Sequence, residues 1–231
     1  MKLGILWDDR FLDHHDTGYH PECPERLSAA RSALESDGIW GEATVIGSRE
    51  ATAGELARNH ERGYVEMALE RMKRAPGHFD ADTFFSSGSR QASLLAAGGT
   101  IDLAMGVMEG RWQAGIALPR PPGHHATPGR AMGFCIFNNI AVAARAALDS
   151  GKAERIMIFD WDVHHGNGTQ DAFWADDRVL FVSVHQWPFY PGSGLPDEIG
   201  EGKGGGRTVK FRLAAGACNS EYSGVLREVA L

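Results

Sequence analysis

Two short, uninterrupted apolar runs constrain the fold more than any other feature: Ile156-Met157-Ile158-Phe159 and Val179-Leu180-Phe181-Val182-Ser183-Val184. Each is too short for a helix and rich in β-branched or aromatic side chains. Such runs predict strands buried on both faces, the mark of a parallel sheet. Gly115-Ile116-Ala117-Leu118, Leu3 to Trp7 and Ala43 to Ile46 are weaker strand segments. Thr208 to Leu213 alternates, which predicts an edge or half-exposed strand. Helical patterns fall between the runs. Pro24 suits the first turn of a helix carrying Leu27, Ala30 and Leu34 and ending near Gly38. An Ala-rich pattern runs from about Ser89 to Glu109, and Ile136, Ile140, Ala144 and Leu148 repeat every four residues up to Gly151. A last helical pattern holds Ser220, Val225, Leu226 and Val229. Alternating strand and helix signals predict an α/β layered domain, read here as one domain over residues 1–231. The glycine-rich stretch 200–206 reads as a flexible surface loop.

Composition narrows the function classes. The 231 residues are 43% hydrophobic and 23% charged, which fits a soluble globular chain and not wholesale disorder. Lys and Arg number 23 against 30 Asp and Glu, a net charge of -7. That balance argues against direct nucleic-acid binding. No apolar run approaches a membrane span, and the run in Met1–Asp8 is too short for a signal peptide. Cys23, Cys135 and Cys218 are odd in number and far apart, which argues against a disulfide framework and fits a reducing cytoplasm. A homo-oligomer is compatible with the sequence.

The segment Phe159-Asp160-Trp161-Asp162-Val163-His164-His165-Gly166-Asn167-Gly168 directly follows a strand. Ligands of open α/β sheets bind at carboxyl ends of strands. Strand alternation would point Asp160, Asp162 and His164 to one side, and a carboxylate and an imidazole two residues apart can meet one divalent metal, zinc or another first-row ion. A solvated charged loop is the bland alternative. In Arg120-Pro121-Pro122-Gly123-His124-His125-Ala126, prolines stiffen the loop and paired imidazoles can serve as general base and acid near neutral pH; a lone His-His pair is otherwise mere polarity. Gly133-Phe134-Cys135-Ile136-Phe137-Asn138-Asn139 precedes a helix that Asn138 or Asn139 can cap, and Cys135 reads as a buried small hydrophobe. Trp187-Pro188-Phe189-Tyr190-Pro191-Gly192-Ser193-Gly194 is either a turn packed on the surface or an aromatic wall of a substrate channel. His14, His15, His60 and His78 have no ligand spacing and read as packing or surface histidines.

Together, the segments 121–126, 133–139 and 160–170 resemble the histone deacetylase family, as do His20-Pro21-Glu22-Cys23-Pro24-Glu25-Arg26-Leu27 and Asp82-Thr83-Phe84. The matches keep the family's order from residue 20 to 194. Asn167 and the Trp-Asp pair resemble the class II branch and its bacterial relatives, the histone deacetylase-like and acetylpolyamine amidohydrolases. The resemblance implies an arginase/deacetylase-type three-layer α/β fold around a central, mostly parallel sheet. It implies a zinc-dependent amidohydrolase that removes an acyl group from acetyl-lysine or an acetylpolyamine. Asp162 and His164 match zinc ligands, His125 the general base and His124 its electrostatic partner. Asp160 and Asn167 match the acceptors that hold the imidazoles of those two histidines. Phe134 and Tyr190 match the tunnel walls, and Gly133 the carbonyl that receives the substrate amide N–H. Asp160, Asp162, His164, Ser183 and Val184 match a structural potassium site, and Arg26 an arginine of the acetate exit channel.

The family's third zinc ligand, in a Gly-Xaa-Asp motif, and its oxyanion tyrosine, in a Gly-Gly-Tyr motif, have no counterpart after these segments. The expectation is therefore a family domain lacking its C-terminal part, with activity reduced about 100- to 1,000-fold by loss of an oxyanion donor alone. Two rival readings follow. One is a catalytically impaired fragment that only binds acylated amines. The other is a dimanganese ureohydrolase, which the order Asp160-Xaa-Asp162-Xaa-His164 and the paired histidines disfavour.

Overall fold

The computed structural model describes residues 1–16 and 18–230, the last of these for its backbone only. Two compact units, Met1–Ala153 and Glu154–Leu231, divide the chain. In the first, β1 (Leu3–Leu6) lies between β2 (Thr44–Ile46) and β5 (Ala114–Ala117), both parallel to it. A β-hairpin pairs β3 (Gly77–His78) with β4 (Phe84–Phe85). The helices are α1 (Pro24–Ser36), α2 (Ile39–Glu42), α3 (Ala53–Leu56), α4 (Arg62–Met72), α5 (Ser89–Met108) and α6 (Asn139–Asp149).

Local chemistry explains the helix ends. Pro24 opens α1, where its missing N–H costs nothing. Thr52 and Glu55 close a reciprocal capping box on α3. The Asn138 side chain accepts the Ala141 N–H at the start of α6. Apolar stripes then build the core. Leu56, Tyr64, Val65, Ala68 and Met72 pack with Leu94, Ile101, Ile136 and Phe137, while Leu6, Trp7, Phe11 and Leu95 form a second cluster around β1.

The second unit holds β6 (Ile156–Asp160), β7 (Val179–Gln186) and β8 (Thr208–Leu213), all parallel in the order β6-β7-β8, with α7 (Asn167–Ala172) and α8 (Asn219–Ala230). β7 takes the middle place, and its Val179, Phe181, Val182 and Val184 are buried, as its apolar run predicts. The equally apolar run of β6 does not give burial on both faces. Met157 is 48% exposed, so the run marks a strand, while the covered position goes to the middle strand. β8 is the half-exposed strand its alternation predicts.

The stretch 200–206 departs from the flexible loop expected of its glycines. Gly202–Gly204 form a 3₁₀ turn, Glu201 N–H donates to the Trp174 carbonyl, and Gly206 N–H donates to the Ile199 carbonyl. Gly204 is buried against the Trp174–Ala175 backbone. Gly200 and Gly204 serve close packing there, while Gly202 and Gly206 supply positive φ. Among the described residues, no helix is long and apolar enough to cross a membrane.

Candidate active site

In the first unit, the chain leaves β5 and enters the tandem-histidine loop without regular secondary structure. Hydrogen bonds hold that loop along its length. Asn139 Nδ2 donates to the Pro121 carbonyl (3.1 Å), and Asn138 Nδ2 donates to the Ala126 carbonyl (3.3 Å). The Ala126 N–H closes a turn on the Gly123 carbonyl (3.0 Å). His60, one of the histidines without ligand spacing, is a buried clamp. Asn138 N–H donates to its Nε2 (2.9 Å), so its Nδ1–H donates to the Thr127 carbonyl (3.0 Å). His125 is buried and His124 half-buried, with ring centroids 4.0 Å apart.

Gly133 and Phe134 both adopt positive φ, +55° and +70°. A Cβ on Gly133 would lie 2.4 Å from His125 Cδ2, so only glycine lets this turn pack against the imidazole. Phe134 carries the strain of a left-handed non-glycine residue. Its N–H donates to Thr83 Oγ1 (3.2 Å), and its ring stands edge-on to His20, at 4.9 Å. The Gly133 carbonyl accepts the Cys135 thiol (3.3 Å), and Cys135 is fully buried, as its apolar neighbours predict. Arg26 is exposed in the first turn of α1. It follows Glu25, which lines a cavity of about 330 Å³ with His15, Asp16, His20 and Cys23.

In the second unit, the strand ends at Asp160, so strand alternation does not place Asp162 and His164. Carboxylates capping successive backbone amides do. Asp160 Oδ1 accepts the Asp162 N–H (3.1 Å), and Asp162 Oδ1 accepts the His164 N–H (2.8 Å). The bends bring His164 Nδ1 to 3.1 Å from Asp162 Oδ1. An imidazole nitrogen and a carboxylate oxygen at that distance need a proton or a cation between their lone pairs. The pair fits a zinc site in kind. It does not complete one in number, since among the described residues no group of three His, Cys, Asp or Glu side chains has metal-ligand spacing. The register sets Asp160 beside the buried Ser183, with Val184 next along β7, which joins three of the residues matched to the potassium site. Ser183 Oγ is also bonded to His185 Nδ1 (3.0 Å).

Asn167 is buried at the start of α7. Phe189 lies flat on the His164 ring (4.9 Å, 8°), and Tyr190 meets it edge-on (5.8 Å). Phe189 belongs to the aromatic loop 187–194, whose family match names Tyr190 alone.

His165 is a further residue that spacing did not reveal. Its Nε2–H donates to Gln170 Oε1 (3.0 Å), whose amide donates on to Glu198 Oε2 (2.8 Å). Its Nδ1 accepts from the Ser193 hydroxyl (2.8 Å). Glu198 Oε2 also accepts the Gly194 N–H (2.9 Å), so this chain of bonds pins the end of the aromatic loop. Gly194, at φ +94°, has no room for a Cβ against His185 and His165. Burial, with the nearby His185, lowers the His165 pKa to about 4.

Burial likewise lowers the His60 pKa to about 4, against two backbone hydrogen bonds that oppose it. The sign of the linkage is fixed. Below the unfolded value of about 6.5 the unfolded chain binds a proton that folded His60 refuses, so stability is full above pH 6.5 and falls until about pH 4. Between pH 7 and 4.5 this residue alone is expected to remove about 2–3 kcal/mol. Urea unfolding at both pH values, on the protein and on His60→Gln, checks this. The pH-dependent loss should shrink by that amount in the variant.

The comparisons with known proteins agree with this architecture. Residues 20–231 match the histone deacetylase domain. A probable deacetylase of Archaeoglobus fulgidus is 40% identical over 231 residues, covering 99% of this chain and 64% of the relative. Histone deacetylase 15 of Arabidopsis thaliana is 40% identical over 223 residues, covering 93% of this chain and 40% of the relative. The crystal structure of the HDA15 HD domain superposes with a TM-score of 0.94 at 38% identity, over 99% of this chain and 68% of that one. The fold is thus the α/β arginase/deacetylase type, and the chain belongs to the histone deacetylase family. It spans 64%, 36% and 40% of three of its curated relatives.

Proposed function

We propose that this chain carries out zinc-dependent hydrolysis of an N-acylated amine, acetyl-lysine in a protein or an acetylpolyamine. The observation that carries the reading is the packing of His125. A buried imidazole packs against a second one, the rings tilted by 42° with centroids 4.0 Å apart, and is seated against a glycine that leaves it room. That is a prepared proton acceptor and not a solvated polar pair.

In this reading His125 takes a proton from the attacking water and returns it to the leaving amine, while His124 stabilises the developing charge beside it. The family resemblance assigns Asp160 and Asn167 the part of holding these imidazoles in orientation. Asp162 and His164 would hold the zinc ion, which supplies Lewis acidity toward the acyl carbonyl and the water. The Gly133 carbonyl accepts the substrate amide N–H, and Phe134 and Tyr190 flank the acyl-bearing chain. Potassium is assigned a structural role at Asp160, Asp162, His164, Ser183 and Val184. Arg26 is assigned to acetate release. Three free cysteines suit a reducing compartment, and a cytoplasmic location is part of the proposal.

Product identity tests the assignment. The 231-residue protein is supplied with zinc or with manganese and offered an acetyl-lysine peptide, acetylputrescine and arginine. The expected result is acetate, with zinc, from one or both acylated amines. Urea from arginine with manganese would establish the ureohydrolase reading instead. Binding of the acylated amines without any product would establish the binder.

A further inference from the structure

Arg120 stands four residues before His124, and its guanidinium is 3% exposed. It forms a bidentate pair with the fully buried carboxylate of Glu22: Nε donates to Oε1 at 2.6 Å and Nη2 to Oε2 at 2.7 Å. Its remaining donors reach the Phe11 carbonyl (Nη1, 3.0 Å) and the His14 carbonyl (Nη2, 2.6 Å). One side chain thus ties together the segment after β1, the loop before α1 and the start of the tandem-histidine loop. The cluster extends further. His14 Nε2 lies 3.3 Å from Glu22 Oε2, His14 Nδ1 is bonded to Ser89 Oγ (2.6 Å), and the His14 ring stacks on Phe84. Burial would raise the Glu22 pKa, but His14 and Arg120 outweigh it and hold the carboxyl at about 2. The Glu22–Arg120 pair is therefore charged.

Stability alone does not explain such a pair. Desolvation cancels most of the attraction between buried ions, and well-packed apolar residues of the same volume often do as well or better. What an apolar pair lacks is direction. A guanidinium fork that meets a carboxylate and two carbonyls at once fixes both position and orientation.

We propose that the buried Glu22–Arg120 pair is a positioning device for the tandem-histidine loop, setting where His124 and His125 stand. The loop has two anchored ends. Asn138 and His60 hold its far side at Ala126 and Thr127, and Arg120 holds its near side. Besides that near anchor, the Asn139 contact at Pro121, the internal turn at Gly123 and the packing of Gly123 on the Asn139 backbone restrain the four residues before His124. The catalytic consequence rests on the proposed role of these histidines, while the geometric one does not.

Two variants of the full chain test this: the double variant Glu22→Leu/Arg120→Met, and Arg120→Lys, which keeps the charge and loses the fork. The first readout is the ring resonances of histidine-labelled protein, assigned through His124→Gln and His125→Gln. The expected result is native-like folding with the His124 and His125 signals displaced and those of His78 and His185 unmoved. The second readout is deacylation, where misplacement should lower kcat on the order of 10²-fold with KM nearly unchanged. Wild-type ring signals in either folded variant would overturn the proposal. Global unfolding of Arg120→Lys would also overturn it, since the pair would then be a requirement for folding. Displaced rings in the folded variants, together with no deacylase turnover by the unaltered protein, would uphold the positioning role and refute the proposed function.

Discussion

Glu22→Leu on its own is expected to destabilise the protein by about 3–5 kcal/mol, a large part of the stability of an ordinary domain. The substitution removes the partner of two guanidinium bonds and leaves the Arg120 charge in a site that is 3% exposed. His14 also loses the carboxylate 3.3 Å from its Nε2. The loss should be largely recovered when Arg120→Met is added, because the uncompensated charge leaves with it. Urea unfolding of the single and double variants forms a mutant cycle. Additive losses in the double variant would show that the two side chains do not act as a pair.

His125→Ala is expected to lower turnover by about 10²–10⁴-fold, the usual contribution of a positioned general base. The cost to stability should be small by comparison. Truncation leaves a cavity beside Gly133, but the loop keeps its anchors at Pro121, Ala126 and Thr127, none of which uses the His125 ring. A variant that is inactive yet unfolds near the wild-type urea midpoint separates a chemical role from a structural one. If His124 only stabilises charge, as proposed, His124→Ala should keep more activity, because it does not carry the proton.

The six parallel strands and the helix caps were legible because their causes are local, while the two-residue strands of the hairpin are too short to leave a pattern. Pro24 and Asn138 act within one turn of the backbone they cap, and the run Val179–Val184 marks the middle strand. The sequence also carries the signals of α4, in Tyr64, Val65, Ala68 and Met72 at helical spacing, and of the Thr52–Glu55 box. The family segments located His125 and the Asp162–His164 turn, but strand alternation was the wrong cause for the turn. Its shape comes from carboxylates accepting amides two residues on. Glu22 and Arg120 lie 98 residues apart, and His60 and Asn138 lie 78 apart. No periodicity or motif spacing pairs side chains across such distances; tertiary packing alone does. The ordered turn at 202–204 shows the same limit, because a glycine that suits a mobile loop also suits a backbone packed against Trp174.

The central claim is that the tandem histidines perform hydrolytic deacylation. Its most direct test is the rate of acetate release from an acetyl-lysine peptide and from acetylputrescine, measured with zinc supplied, for the 231-residue protein and for His125→Ala. Catalytic release from at least one of them is expected of the unaltered protein, with a loss of about 10²–10⁴-fold in the folded variant. Equal rates in the two proteins would contradict it.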